Sequence, residues 1–152
     1  MKKTTILRNI LRATETDARL VFCNENSYIY HTNTIYFNLD TEHEIDMGFM
    51  RHLREEHEVL DCEEISETIW SLLHEIGHAE TEDNLETEED EEIAVRTVCS
   101  MIPLEDVAEC EILQNLYFNL PSEWEATEWA IAFARENWEY LIEQTILLRD
   151  AR

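Results

Sequence analysis

The sequence predicts a single α+β domain over residues 1–152, rich in helix and holding a small antiparallel sheet of about three strands. Three observations point there. Two Gly and two Pro are too few for the many tight turns of an all-β protein. Apolar residues recur with period two only between Arg19 and Asp40, and at helical spacing before and after it. A chain of 152 residues, 44% of them apolar, can bury about 70% of its unfolded surface around one core.

Ile6, Leu7, Ile10 and Leu11 form a short apolar stripe, so a first helix is expected to pack on the sheet. Three strands follow, LVF, YIYH and TIYFNL, separated by the turn-prone Asn24-Glu25-Asn26 and Thr32-Asn33. In the third, Ile35, Phe37 and Leu39 should face the core, and Thr34, Tyr36 and Asn38 the other side. Ile45, Phe49 and Leu53 recur every four residues and predict a helix ending before Asp61. Asp61 and Glu64 stand at capping-box spacing, which predicts that the next helix begins at Asp61; Ile65, Ile69, Leu72, Leu73 and Ile76 give it one apolar face. From Glu80 to Glu92 nine of thirteen positions are acidic, the composition of a solvated loop. Helices are expected from Ile93 to Ile102, stopped by Pro103, and along Leu104, Val107, Ala108, Ile112 and Leu116. Pro121 opens a long C-terminal helix marked by Ala126, Ala130, Phe133, Ala134 and Leu141.

Charge narrows the function classes. Thirty-five Asp and Glu against eleven Lys and Arg give a net charge of −24, which opposes any binding mode built on neutralising phosphates, so no direct nucleic-acid ligand is expected. No apolar run reaches the ~18 residues of a membrane span, and the N-terminal residues lack a signal-peptide h-region. A cytoplasmic location without membrane attachment is therefore expected. Cys23, Cys62, Cys99 and Cys110 are scattered without C-x-x-C spacing, which suits buried thiols better than a disulfide framework.

The chemistry concentrates in His74-Glu75-Ile76-Gly77-His78, an H-E-x-x-H sequence on the predicted helix. Side chains four apart lie one above the other, so both imidazoles can address one ion. Zinc suits such a site, since with three protein ligands it keeps a fourth position for a water whose pKa falls to ~7. Glu75, directly after the first ligand, can take that water's proton as general base and pass it to a leaving amine. His31, His43, His52 and His57 show no ligand spacing to one another and are expected on the surface or in strands.

A third ligand must come from elsewhere. The metzincin continuation needs Gly and His where this chain has Thr81 and Asn84, leaving a carboxylate as the expected ligand. Glu123 shares its side of the last helix with Ala126, Ala130 and Phe133, whereas Glu125 and Glu128 lean toward the polar flank. A buried acid is costly unless paired or metal-bound, so Glu123 leads. Its position would also suit an acid that only meets the helix dipole in the first turn. Glu125 is an alternative, and Glu91 or Glu92 the reserve.

HEIGHA on one helix, followed by a later helix reading E-x-E-A-x-x-[WF]-A, resembles the ImmA/IrrE-type metallopeptidases and related short phage and mobile-element zincins. The resemblance spans roughly residues 19 to 138 and is specific at HEIGH. It implies a minimal zincin-like fold, His74 and His78 as zinc ligands, Glu75 as catalytic base and an acid of the EWEA stretch as third ligand. It also implies that substrate lies along the TIYFNL strand, at Tyr36, Phe37, Asn38 and Leu39. Thr127 stands where members often carry Asn or Asp. The expected function is a zinc-dependent peptidase acting on a basic, nucleic-acid-associated protein. The alternative is a non-catalytic acidic inhibitor or decoy, encoded by a phage or mobile element, that sequesters a basic partner and keeps the metal for structure. Glu75 separates them, because a structural zinc site has no use for it.

Overall fold

The computed structural model describes residues 1–39, 47–81, 97 and 115–151. Within them the protein is helix-rich α+β with one three-stranded sheet. The expected helices between Ile93 and Leu116, the acidic run from 82 onward, Ile45 and His43 lie outside the described residues, except for Thr97 and the helical turn at 115–118.

Helix α1 (Lys3–Ala13) buries Ile6, Leu7 and Ile10, the i, i+1, i+4 stripe that one helical face provides. It packs against β1 and two later helices as well as flanking the sheet. Strands β1 (Arg19–Cys23), β2 (Ser27–Ile29) and β3 (Thr34–Asn38) follow. Their order is β1-β3-β2, with β3 parallel to β1 and antiparallel to β2. The sheet is therefore mixed, not antiparallel as the alternation had suggested. The reason is local: Asn24-Glu25-Asn26 does not close a hairpin but carries the chain past the place that β3 will fill. Asn26 Oδ1 then accepts the Asn38 N–H at 2.7 Å. The return is made at Asn33, in the left-handed region at φ 46°, a conformation Asn tolerates. Its side chain accepts the Tyr28 hydroxyl at 2.8 Å.

A central β3 is covered on both faces. Ile35 and Phe37 are fully buried, as expected, but Thr34 and Asn38 are buried too, and only Tyr36 and Leu39 are half-exposed.

Helix α2 (Met47–Glu55) buries Phe49, Met50, His52 and Leu53. Helix α3 (Glu67–Thr81) begins six residues after the predicted start. Asp61 makes no side-chain cap, and Cys62–Glu64 is a 3-10 turn. Ser66 caps instead, its Oγ accepting the Ile69 N–H at 3.3 Å. Eight residues of α3 are buried, spread around the helix rather than on one face, because α3 runs between the sheet and the following helix. Trp70, fully buried, donates its indole N–H to Cys62 O at 2.8 Å and ties the helix to the preceding turn.

The predicted long C-terminal helix is two: α4 (Pro121–Glu136) and α5 (Trp138–Asp150). Asn137 breaks it at φ −125°, its amide donating to Phe133 O at 2.9 Å in place of a continued helical turn. Helix α4 packs along α3, and Gly77 sets how closely, since a Cβ there would lie 2.2 Å from Ala126 O. Among the described residues no helix is long and apolar enough to cross a membrane.

Candidate metal centre

The α3–α4 contact brings three ligand atoms to one point. His74 and His78, one helical turn apart on α3, have Nε2 atoms 3.1 Å apart, with ring planes at 87°. Glu123, in the first turn of α4, places Oε2 2.8 Å from His74 Nε2 and 3.0 Å from His78 Nε2. The proximity of Gly77 to Ala126 is what lets the α4 carboxylate reach both rings.

Three mutual contacts near 3 Å cannot all be hydrogen bonds. Protons on both nitrogens could point at the carboxylate, but the two N–H groups would then face each other. One shared ion would resolve the conflict, and a His, His, Glu donor set is one that zinc accepts. His74, His78 and Glu123 can thus hold a metal ion.

The surroundings favour that arrangement. Desolvation pushes the Glu123 carboxyl up, but the charge of His78 and hydrogen bonding to both rings outweigh it and hold the carboxyl well below the usual range. Glu123 is only 1% exposed, so an unpaired charge there would be costly. Thr127, fully buried one turn beyond Glu123, has Oγ1 3.1 Å from His74 Nδ1. Accepting that ring's N–H leaves the lone pair on Nε2, facing the centre. Phe49 packs edge-on against His74 at 5.2 Å between centroids.

Glu75 follows His74 on α3 and is half-buried. Burial raises its carboxyl pKa, the His78 and His74 charges pull it down, and Glu123 raises it further, for a net upward shift. A carboxylate shifted upward is closer to the proton affinity a general base needs near neutral pH.

Glu125, two residues past Glu123, is half-buried and is not part of the group. Glu91 and Glu92 lie outside the described residues. Tyr36, Phe37 and Asn38 belong to the central strand, and Leu39 directly follows it; β1 pairs along all of Thr34–Asn38, but β2 pairs only with Thr34–Tyr36, so on the β2 side Phe37–Leu39 run beyond the ladder, with the Asn38 N–H taken by Asn26 Oδ1. His31 is exposed as expected, but His52 and His57 are buried. The spacing of His52 to Phe49 and Leu53 carried that signal. Comparison of the chain with protein-family models, curated proteins and solved structures finds no significant match.

Proposed function

We propose that the protein is a zinc-dependent peptidase with a zincin-like core, as the resemblance to ImmA/IrrE-type metallopeptidases implies. The observation that carries the reading is the convergence of His74, His78 and Glu123, with Glu75, next to His74 on α3, near enough for all three to act on its carboxyl. Zinc held by the first three supplies Lewis-acid activation of water at neutral pH. Glu75 is the residue that would take a proton from the attacking water and hand it to the leaving amine. Thr127 fixes the His74 ring, and the buried wall formed by Phe49 limits water on that side.

An extended substrate pairs with backbone that no strand already occupies, and α3 packs against both β2, an outer strand, and β3, whose β2 side is unpaired by a strand beyond Tyr36. Ser27–Ile29 and, beyond the end of the β2 ladder, Phe37–Leu39 are the segments along which a peptide would lie. A chain of net charge −24 favours a basic protein as that substrate.

Glu75→Gln tests the reading. It should keep metal and fold and lose hydrolysis of a basic protein substrate by ~10²-fold or more. Equal cleavage by variant and parent would remove Glu75 from the chemistry. Metal-dependent binding without cleavage by either would favour a non-catalytic binder.

A further inference from the structure

A second pair of histidines has the geometry of the first. His52 on α2 and His57 just beyond it have Nε2 atoms 3.0 Å apart, ring centroids 4.8 Å apart and planes at 75°. The corresponding values for His74 and His78 are 3.1 Å, 4.7 Å and 87°. His52 is 1% exposed and His57 8%. Trp124 lies against His57 at 4.0 Å, and Phe118 stacks on His52 at 5.0 Å, so the pair is walled by aromatic rings.

The outer nitrogen of His57 settles its tautomer. Nδ1 lies 2.6 Å from Glu128 Oε1, and an ionised carboxylate only accepts, so Nδ1 carries the proton. In the neutral ring the Nε2 of His57 is then a lone pair facing His52. Such a carboxylate–imidazole contact is the usual support of a metal-bound histidine. It comes from the residue after Thr127, which gives His74 its equivalent contact. His52, enclosed by Phe118, Trp124 and His57, turns its Nε2 to the same point. Its Nδ1 is buried with no hydrogen-bond partner among the described residues, so His52, unlike His57, has no side-chain support for presenting Nε2.

We propose that His52 and His57, with Glu128 supporting His57, form a second binding site for a borderline divalent transition metal such as zinc. Imidazole nitrogens suit this class of ion. With two protein ligands it is a weaker centre than the three-ligand one. It is independent of whether the first centre hydrolyses anything.

Zinc titration of the chelator-stripped full chain, followed by calorimetry, tests the proposal. Two binding events are expected, the second weaker. His57→Gln should abolish the weaker event, and His74→Ala should leave it in place. Glu128→Gln, at a position about half-exposed and so tolerant for folding, should weaken it ~10- to 100-fold and spare the tighter event. A single event in the parent chain, as one proton shared between the rings would give, overturns the proposal. So does a weaker event unchanged in both His57→Gln and Glu128→Gln.

Discussion

Without the Glu123 carboxylate, two imidazoles would converge on a point with no counter-charge. Glu123→Ala should therefore lose zinc affinity in competition with a chromogenic chelator and lose the stability that bound metal adds, since binding free energy is coupled to folding. Glu125→Ala should retain both; loss of affinity in that variant alone would overturn the assignment. Thr127→Val keeps shape and removes the acceptor for the His74 ring, and should weaken zinc ~10- to 100-fold. His52 gives a pH prediction of definite sign. Its pKa falls from 6.5 to about 4 in the folded chain, chiefly through burial. Between those values the unfolded chain binds a proton that the native chain does not, so stability is full above about 6.5 and is lost as pH falls toward about 4. Denaturant unfolding across that range should show a shallower decline in His52→Phe than in the parent, and identical slopes would sink the idea. Residue-level chemistry was legible where helical phase decides it: Glu123 and Glu125 differ by about 200° around a helix, and only one can face α3. The buried state of His57 was not, because it depends on Trp124 arriving from a distant helix.

Helix contact rests on Gly77. A mid-helix Gly ordinarily costs ~0.5–1 kcal/mol relative to Ala, so Gly77→Ala in open space would stabilise α3. Here the added Cβ would meet the backbone oxygen of Ala126 at 2.2 Å, which no side-chain rotation relieves. The sign should therefore reverse, with a loss of ~1–3 kcal/mol typical of overpacking, read as a lower urea midpoint. Zinc affinity should fall with it, since moving α4 away from α3 moves Glu123. A more stable variant would mean the helices are not held at this separation. The same elements show what periodicity conveys. The apolar spacing in α1, α2 and α3 marked helices correctly because the residues it traced, Ile6, Leu7 and Ile10, Phe49 and Leu53, and Ile69, Leu72, Leu73 and Ile76, are all buried. It misplaced the start of α3, where Ser66 rather than Asp61 supplies the cap. It also missed the break at Asn137, since Leu141 stays in phase with the stripe and is buried on the far side of it. Strand order was beyond it altogether: alternation tells which residues share a face, and β1 beside β3 rather than β2 depends on a ladder between segments not adjacent in sequence.

At the scale of the whole molecule, a net charge of −24 produces a field that a partner meets before any contact forms. Such a field accelerates encounter with a basic protein, and its reach is set by ionic strength, with a screening length of ~8 Å at physiological salt and ~30 Å at about 0.01 M. Contacts formed after docking are shorter than either length and feel salt much less. Raising salt should thus slow association of a basic protein with the Glu75→Gln chain, in which cleavage cannot obscure binding, and leave dissociation nearly unchanged. The run from Glu80 to Glu92, with nine acids in thirteen positions, is the densest charge in the sequence. Replacing its acids by Gln and Asn should slow association at low salt and flatten its salt dependence, as stopped-flow rates would show. If instead dissociation carried the salt dependence, the acids would be acting as contact residues at the interface; if neither rate changed, the run would be only a solvated surface.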